Sequence, residues 1–233
     1  MTIDTLKEYA DLSEKQLYQF SQYYSLLTFY NKQFNLTAIR NQDETLIKHF
    51  VDSIIYSEMA MLKKGNRILD LGTGAGLPGI PFSILYPEKK ILLVDSLNKK
   101  VNFLNTVIEK LNLKNTTVLH ARGEALGRDE NYRESFQIIL ARSVAYLPTL
   151  SEYLLPLVKV GSYCIVTKEA PYEEEVEKSK KAIKLLGGKI DIIRNYTLPV
   201  YNNERAIIYI KKEQKTPNIY PRKAGTPKKK PLF

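Results

Sequence analysis

The 233-residue chain has a single cysteine, Cys164, so no internal disulfide can form and nothing calls for an oxidising compartment. It has two histidines, His49 and His120, and no spacing of Cys, His and carboxylates that suits a metal. No stretch approaches the roughly 20 apolar residues of a membrane helix. The N-terminus, MTIDTLKEYADLSEKQ, is polar and of mixed charge, unlike a secretory leader. These absences point to a cytoplasmic protein with no membrane partner. Internal repeats are also absent.

Acid is the minority charge. Lys and Arg number 35 against 25 Asp and Glu, a formal net charge of +10. The excess is concentrated at the C-terminus, where residues 211–233 hold eight basic residues against Glu213 alone. Such a tail is an electrostatic handle for a polyanion, or else a solubilising surface. Four prolines there, Pro217, Pro221, Pro227 and Pro231, favour an extended strip over a helix.

Hydrophobic residues make up 44%, enough for a buried core. Residues 1–64 read as helical. Ser13 and Gln16 have capping-box spacing, and Leu17, Phe20, Tyr24, Leu27 and Phe34 recur at helical intervals. A second helix spans about 44–63, with Ile47, Val51, Ile54, Ile55 and Leu62 on one face, after the loop NKQFNLTAIRN. From Asn66 the texture changes to strands at 67–71, 90–95, 116–121, 136–141, 162–168, 189–196 and 205–212. Helices at 78–85, 98–111, 147–157 and 172–186 fill the gaps. The alternation predicts an α/β, Rossmann-like, mostly parallel seven-stranded sheet. Only TLPVYNNE joins the last two strands, which suits an antiparallel hairpin. The expected division is a helical segment 1–64 packed on the core, an α/β domain 65–213, and the basic tail 214–233.

The first strand runs into Asp70-Leu71-Gly72-Thr73-Gly74-Ala75-Gly76-Leu77-Pro78-Gly79. Glycines at a strand-to-helix turn admit a ligand close to backbone, and the helix start offers free N–H groups. GAGLPG also fits the dinucleotide pattern G-x-G-x-x-G, a weak signal by itself. Asp70 discriminates. A carboxylate before the first glycine repels a pyrophosphate but suits S-adenosylmethionine, whose sulfonium and α-ammonium are cationic. Asp95, ending the second strand, suits the hydroxyls of an adenosine ribose, with Ser96 or Asn98 free to cap the next helix. Gly123 and Glu124 follow the third strand, and Arg142 ends the fourth, so all three face the same crevice. The candidate cofactor residues on these grounds are Asp70, Gly72, Gly74, Asp95, Gly123, Glu124 and Arg142.

With these residues in place, the chain resembles the bacterial ribosomal RNA small subunit methyltransferase G family, also called glucose-inhibited division protein B, which methylates a guanine N7. The resemblance spans almost the whole chain. It rests on Tyr30-Asn31-Lys32, Asn35-Leu36-Thr37-Ala38-Ile39 and His49-Phe50-Val51-Asp52-Ser53. It continues in LDLGTGAGLPGIP (69–81), Asp95-Ser96-Leu97 with Lys99-Lys100, Arg122-Gly123-Glu124, Ala141-Arg142 and Lys168. Arg205 and the tail TPNIYPRKAGTPKKKPL resemble members from low-GC Gram-positive bacteria. Gly123 departs from the family's usual alanine or valine, and Ser143 from its usual alanine. The resemblance implies the S-adenosylmethionine-dependent methyltransferase fold, and cofactor contacts at Gly72, Leu77, Gly123, Glu124 and Arg142. The implied substrate is 16S ribosomal RNA, free or in the 30S subunit or an assembly intermediate, with a monomer as the simplest state.

The chemistry agrees. Guanine N7 has a free lone pair and no proton to lose, so no general base is required and no catalytic residue is assigned. Cys164 lies in an apolar strand and reads as a small core residue, not a nucleophile for cytosine methylation. ARSV stands where amino-group methyltransferases carry an Asn/Asp-Pro-Pro-aromatic turn. His49 and Asp52, one helical turn apart, read as packing and capping groups or as a functional pair. Guanine N7 in duplex RNA is out of reach of side chains, so the target lies in an open loop. Lys99, Lys100, Lys168, Arg205, Arg222 and Lys223 are candidate RNA contacts. Two competing functions use the same residues: an NAD-binding oxidoreductase, and a non-catalytic RNA-binding ribosome assembly factor.

Overall fold

A computed structural model of the chain describes residues 1–59 and 65–233. Among them no helix is long and apolar enough to cross a membrane. The seven strands are β1 Arg67–Leu71, β2 Lys90–Asp95, β3 Thr116–His120, β4 Phe136–Arg142, β5 Val158–Glu169, β6 Gly188–Thr197 and β7 Glu204–Lys212. They form one sheet in the order β3-β2-β1-β4-β5-β7-β6. Pairings are parallel from β3 through β5, and β7 runs antiparallel to both β5 and β6. The parallel sheet with its closing hairpin is as the sequence predicts. The strand order reverses between β1 and β4, so a crevice opens where the carboxyl ends of those strands diverge.

Successive side chains point to opposite faces of a strand, and each face here has its own core. On one face Ile68, Leu140 and Ile165 meet α1 (Glu14–Phe34), α4 (Gly79–Leu85) and α5 (Asn98–Lys110) through Phe20, Phe82 and Leu104. On the other, Leu69, Ile139 and Val166 meet α7 (Leu147–Leu154) and α8 (Glu173–Leu185) through Leu150, Leu154 and Ile183. Cys164 is buried in this second core, where burial pushes its thiol up to about 12.

The N-terminal helices hold the crevice in place. Ser13 and Gln16 form the expected capping box of α1. The helix continues through NKQF to Phe34, four residues into the expected loop, where Asn35 in the left-handed region ends it. Tyr23, which the helical pattern passed over, is fully buried and donates its hydroxyl to Ala75 O at 2.7 Å. The second helix is broken into α2 (Gln42–Thr45), a π-helical turn (Leu46–Val51) and α3 (Asp52–Met59). Leu62 and the end expected near Lys63 lie outside the described residues.

The C-terminal tail differs from the expected extended strip. It packs against α6 (Gly123–Leu126) and α7 and ends in the one-turn helix α9 (Thr226–Lys229). Its backbone carbonyls have internal donors. Arg133 donates to Thr216 O and Tyr220 O, both at 2.8 Å, and Arg128 Nε donates to Pro221 O at 2.8 Å. Arg222 grips the Glu152 carboxylate with Nε and Nη2 at 2.7–3.1 Å. Lys212 is fully buried, donating to Leu155 O. Counting charges in sequence treats all of them as solvent-facing, whereas Glu152 and the buried Leu155 carbonyl draw Arg222 and Lys212 inward. Arg222→Ala leaves the Glu152 carboxylate, 1% exposed, without its charged partner and with only the backbone N–H of residue 222. Urea unfolding is expected to show a loss of about 2–4 kcal/mol. A loss below about 0.5 kcal/mol, the level of an exposed pair, would show that the tail is not anchored there.

Candidate active site

The glycine loop leaves β1 at the reversal point. Gly72 and Thr73 donate their N–H groups to Val94 O on β2, at 2.8 and 3.1 Å. Gly72 has φ +70°, and a Cβ there would sit 2.8 Å from Val144. Only glycine meets both constraints.

Asp70 is fully buried beneath this loop. Its Oδ2 accepts from Thr73 Oγ1 at 2.6 Å and from Gly79 N at 2.8 Å, and its Oδ1 has no partner among the described residues. Burial pushes its pKa up to about 6, against the pull of the Thr73 and Gly79 hydrogen bonds. The sequence suggests a carboxylate in contact with a cationic ligand. The structure makes Asp70 a brace whose charge acts through the loop. Asp95 is also less free than expected. Its Oδ1 accepts from Leu97 N at 3.0 Å, in the turn that leads into α5. Its Oδ2 accepts from Gly74 N at 3.0 Å, with Lys100 Nζ 3.6 Å away.

Two cavities meet at Gly72. One, about 290 Å³, is lined by Thr37, His49, Gly74, Leu77, Lys100 and Arg142 among others. The other, about 190 Å³, is lined by Asp95, Gly123, Glu124, Val144 and Tyr153 among others. Six of the eight residues expected to bind the cofactor face the first or second cavity beside the shared Gly72, and Asp70 lies below. A Cβ on Gly123 would stand 3.2 Å from Leu71 and Tyr153, a contact tighter than usual.

A charged cluster that sequence reasoning missed backs the first cavity. Asp52 is fully buried, and its Oδ2 accepts from Arg142 at 2.7 Å and Arg205 at 3.1 Å. Its Oδ1 accepts from the Tyr196 hydroxyl at 2.7 Å. Four segments far apart in the chain therefore converge on one carboxylate. The only sequence signal is the motif His49-Phe50-Val51-Asp52-Ser53, which does not name its partners. Arg205 also pairs with Glu169 at 2.9 Å and keeps its buried Nε unpartnered among the described residues.

His49 does not pair with Asp52. The π-helical turn intervenes, and His49 Nε2 lies 2.8 Å from Thr37 Oγ1 and Nδ1 lies 3.2 Å from Lys48 O. Burial first, and Arg142 second, lower its pKa to about 3, so the ring is neutral. Unfolded histidine titrates near 6.5, so this stabilisation is complete above about pH 6.5 and is lost as pH falls toward 3. Between pH 7 and pH 5 the wild type is expected to lose about 2 kcal/mol relative to His49→Gln. Asp70, with its raised pKa, gains stability on protonation over part of the same range, so the informative quantity is the difference between the two proteins in urea unfolding. Parallel pH profiles would contradict a buried neutral His49.

The expected RNA contacts divide. Lys100 and Arg205 line the first cavity, and Lys99, donating to Phe34 O at 3.2 Å, is exposed beside it. Lys223 is exposed on the tail. Lys168 is corrected: it is bound internally by Ala145 O and Glu175. Arg222 is corrected likewise by its pairing with Glu152. His120 Nε2 lies 2.9 Å from Ser96 O, a structural contact.

A family model described as rRNA small subunit methyltransferase G matches residues 16–208. Among curated relatives, the ribosomal RNA small subunit methyltransferase G of Acetivibrio thermocellus is 48% identical, covering 95% of this chain and 91% of its own. That of Bacillus licheniformis is 46% identical, covering 97% and 95%. Among solved structures, a SAM-dependent methyltransferase from Aquifex aeolicus shares the fold at TM-score 0.52 and 19% identity, covering 72% of this chain and 92% of that one. A 16S rRNA (adenine(1408)-N(1))-methyltransferase variant from Catenulisporales acidiphilia does so at 0.54 and 13%, covering 72% and 93%. With the family model spanning most of the chain and relatives near half-identical over its length, the protein belongs to the rRNA small subunit methyltransferase G family.

Proposed function

We propose that this chain transfers a methyl group from S-adenosylmethionine to N7 of one guanine in 16S ribosomal RNA. The observation that carries the reading is the glycine loop suspended between two cavities that meet at Gly72. The cavity by Arg142 and Lys100 offers cations for a carboxylate, and the one by Asp95 and Glu124 offers carboxylates for hydroxyl and amino groups. An elongated ligand with an amino-acid end and a nucleoside end suits that pair.

The cofactor supplies an electrophilic methyl group on a cationic sulfur. The chain's own part is placement, since holding nucleophile and methyl in line supplies much of the rate. Asp70 and Tyr23 fix the loop from below. Asp52 fixes the Arg142 and Arg205 guanidiniums at the cavity wall. Arg205, Lys100 and Lys99 give phosphate contacts around a guanine drawn from an open RNA loop. Nothing need remove a proton from N7, which agrees with a neutral, internally bonded His49.

The oxidoreductase alternative meets a physical objection. The Gly79 N–H at the start of α4, a natural pyrophosphate donor, is already bonded to Asp70. The non-catalytic alternative leaves the paired cavities without a purpose. The protein is proposed to act as a cytoplasmic monomer on the 30S subunit, an assembly intermediate or the RNA itself. Calorimetry with S-adenosylhomocysteine and with NAD tests the cofactor. Binding of the first and not the second is expected, and the reverse would overturn the reading.

A further inference from the structure

The C-terminal segment touches the crevice as well as the core. Gly225 and Lys228 line the 190 Å³ cavity together with Asp95, Glu124 and Tyr153. We propose that segment 222–228 is a wall of the cofactor site, closing its adenosine end and orienting Glu124. The proposal rests on reading the glycine loop as the S-adenosylmethionine site.

Glu124 is 6% exposed, and its Oε1 accepts the Gly225 N–H at 2.9 Å. A backbone donor fixes the carboxylate and leaves Oε2 for a donor within the cavity. The exocyclic amino group of adenine is such a donor. Gly225 reaches this position with φ +82°, a conformation that glycine adopts at little cost. Lys228 brings a cation to the same cavity, suited to the acceptor nitrogens of a purine ring.

The segment is held independently of any ligand. Arg222 grips Glu152 on one side of Gly225, and Thr149 Oγ1 donates to Pro227 O at 3.1 Å on the other. The wall is therefore preformed. Its consequence for binding differs from that of a tail that only meets RNA.

The test uses calorimetric titration of S-adenosylhomocysteine into the full-length protein, Lys228→Glu, Lys229→Glu and a chain ending at Ala224. The last keeps the Arg222–Glu152 pair. Lys228→Glu is expected to weaken binding by about tenfold, since it replaces a cavity-lining cation with a second carboxylate beside Glu124. Lys229→Glu makes the same charge change one residue away and is expected to stay within about twofold. The chain ending at Ala224 is expected to lose more than about tenfold while keeping its far-ultraviolet circular dichroism. Equal affinities for Lys228→Glu and Lys229→Glu would overturn the proposal, whatever the shortened chain does. Failure of the full-length protein to bind S-adenosylhomocysteine would instead overturn the cofactor reading beneath it.

Discussion

Gly74→Arg is expected to weaken cofactor binding by at least about 100-fold, the loss that follows when a binding space is filled by protein. Gly74 differs from its neighbours in what surrounds it. A Cβ there would find only Lys100 Nζ at 3.8 Å and Gly72 O at 3.9 Å, so its side chain would grow into the cavity and not into the core. The φ of +64° adds a conformational cost of about 1–2 kcal/mol, which a folded domain tolerates. By contrast a Cβ on Gly76 would lie 2.5 Å from Ile80, so the same change there damages the fold first. Calorimetry with S-adenosylhomocysteine, alongside a melting curve, separates the two. A Gly74→Arg protein that melts normally and binds normally would remove the ligand from this loop.

Asp52→Ala is expected to cost about 3–5 kcal/mol of stability, the range for removing one partner of a buried ionic group. The reason is the number of groups that share this carboxylate. Arg142 and Arg205 would be left as two mostly buried cations with no anion between them, and the Tyr196 hydroxyl would lose its acceptor. Tyr196→Phe removes one neutral hydrogen bond and is expected to cost only about 1 kcal/mol. Urea unfolding of both variants checks the ratio. Similar small losses for the two would mean that the arginines find other partners and that Asp52 does not organise the cavity wall.

Much of this fold is written locally. The five parallel strands and the helices between them follow from short apolar runs punctuated by glycine and proline, and their observed bounds lie within a few residues of the periodic pattern. β5 is the largest exception, starting at Val158, ahead of the expected 162, because Lys159 and Gly161 interrupt the apolar pattern there. The glycine loop was legible because its chemistry is local: strand end, glycines and helix start are adjacent in sequence.

The arrangement around Asp52 was not legible. Its partners come from β4, β6 and β7, and nothing in the spacing of residues 52, 142, 196 and 205 brings them together before the sheet is built. The tail failed for a related reason. A basic, proline-containing run has the composition of a solvated strip, and only the buried carboxylates of Glu152 and Glu124 show where Arg222 and Gly225 go. Sequence identified which residues carry charge, whereas tertiary structure decides which charges remain free for a ligand.

The most direct test of the account is methyl transfer itself. Purified protein would be incubated with tritiated S-adenosylmethionine and with 30S subunits, or their naked RNA, from cells lacking this gene. The labelled RNA would then be digested to nucleosides. The account predicts label in 7-methylguanosine at a single site. Label in another nucleoside, or none in either substrate from protein that binds the cofactor, would contradict it.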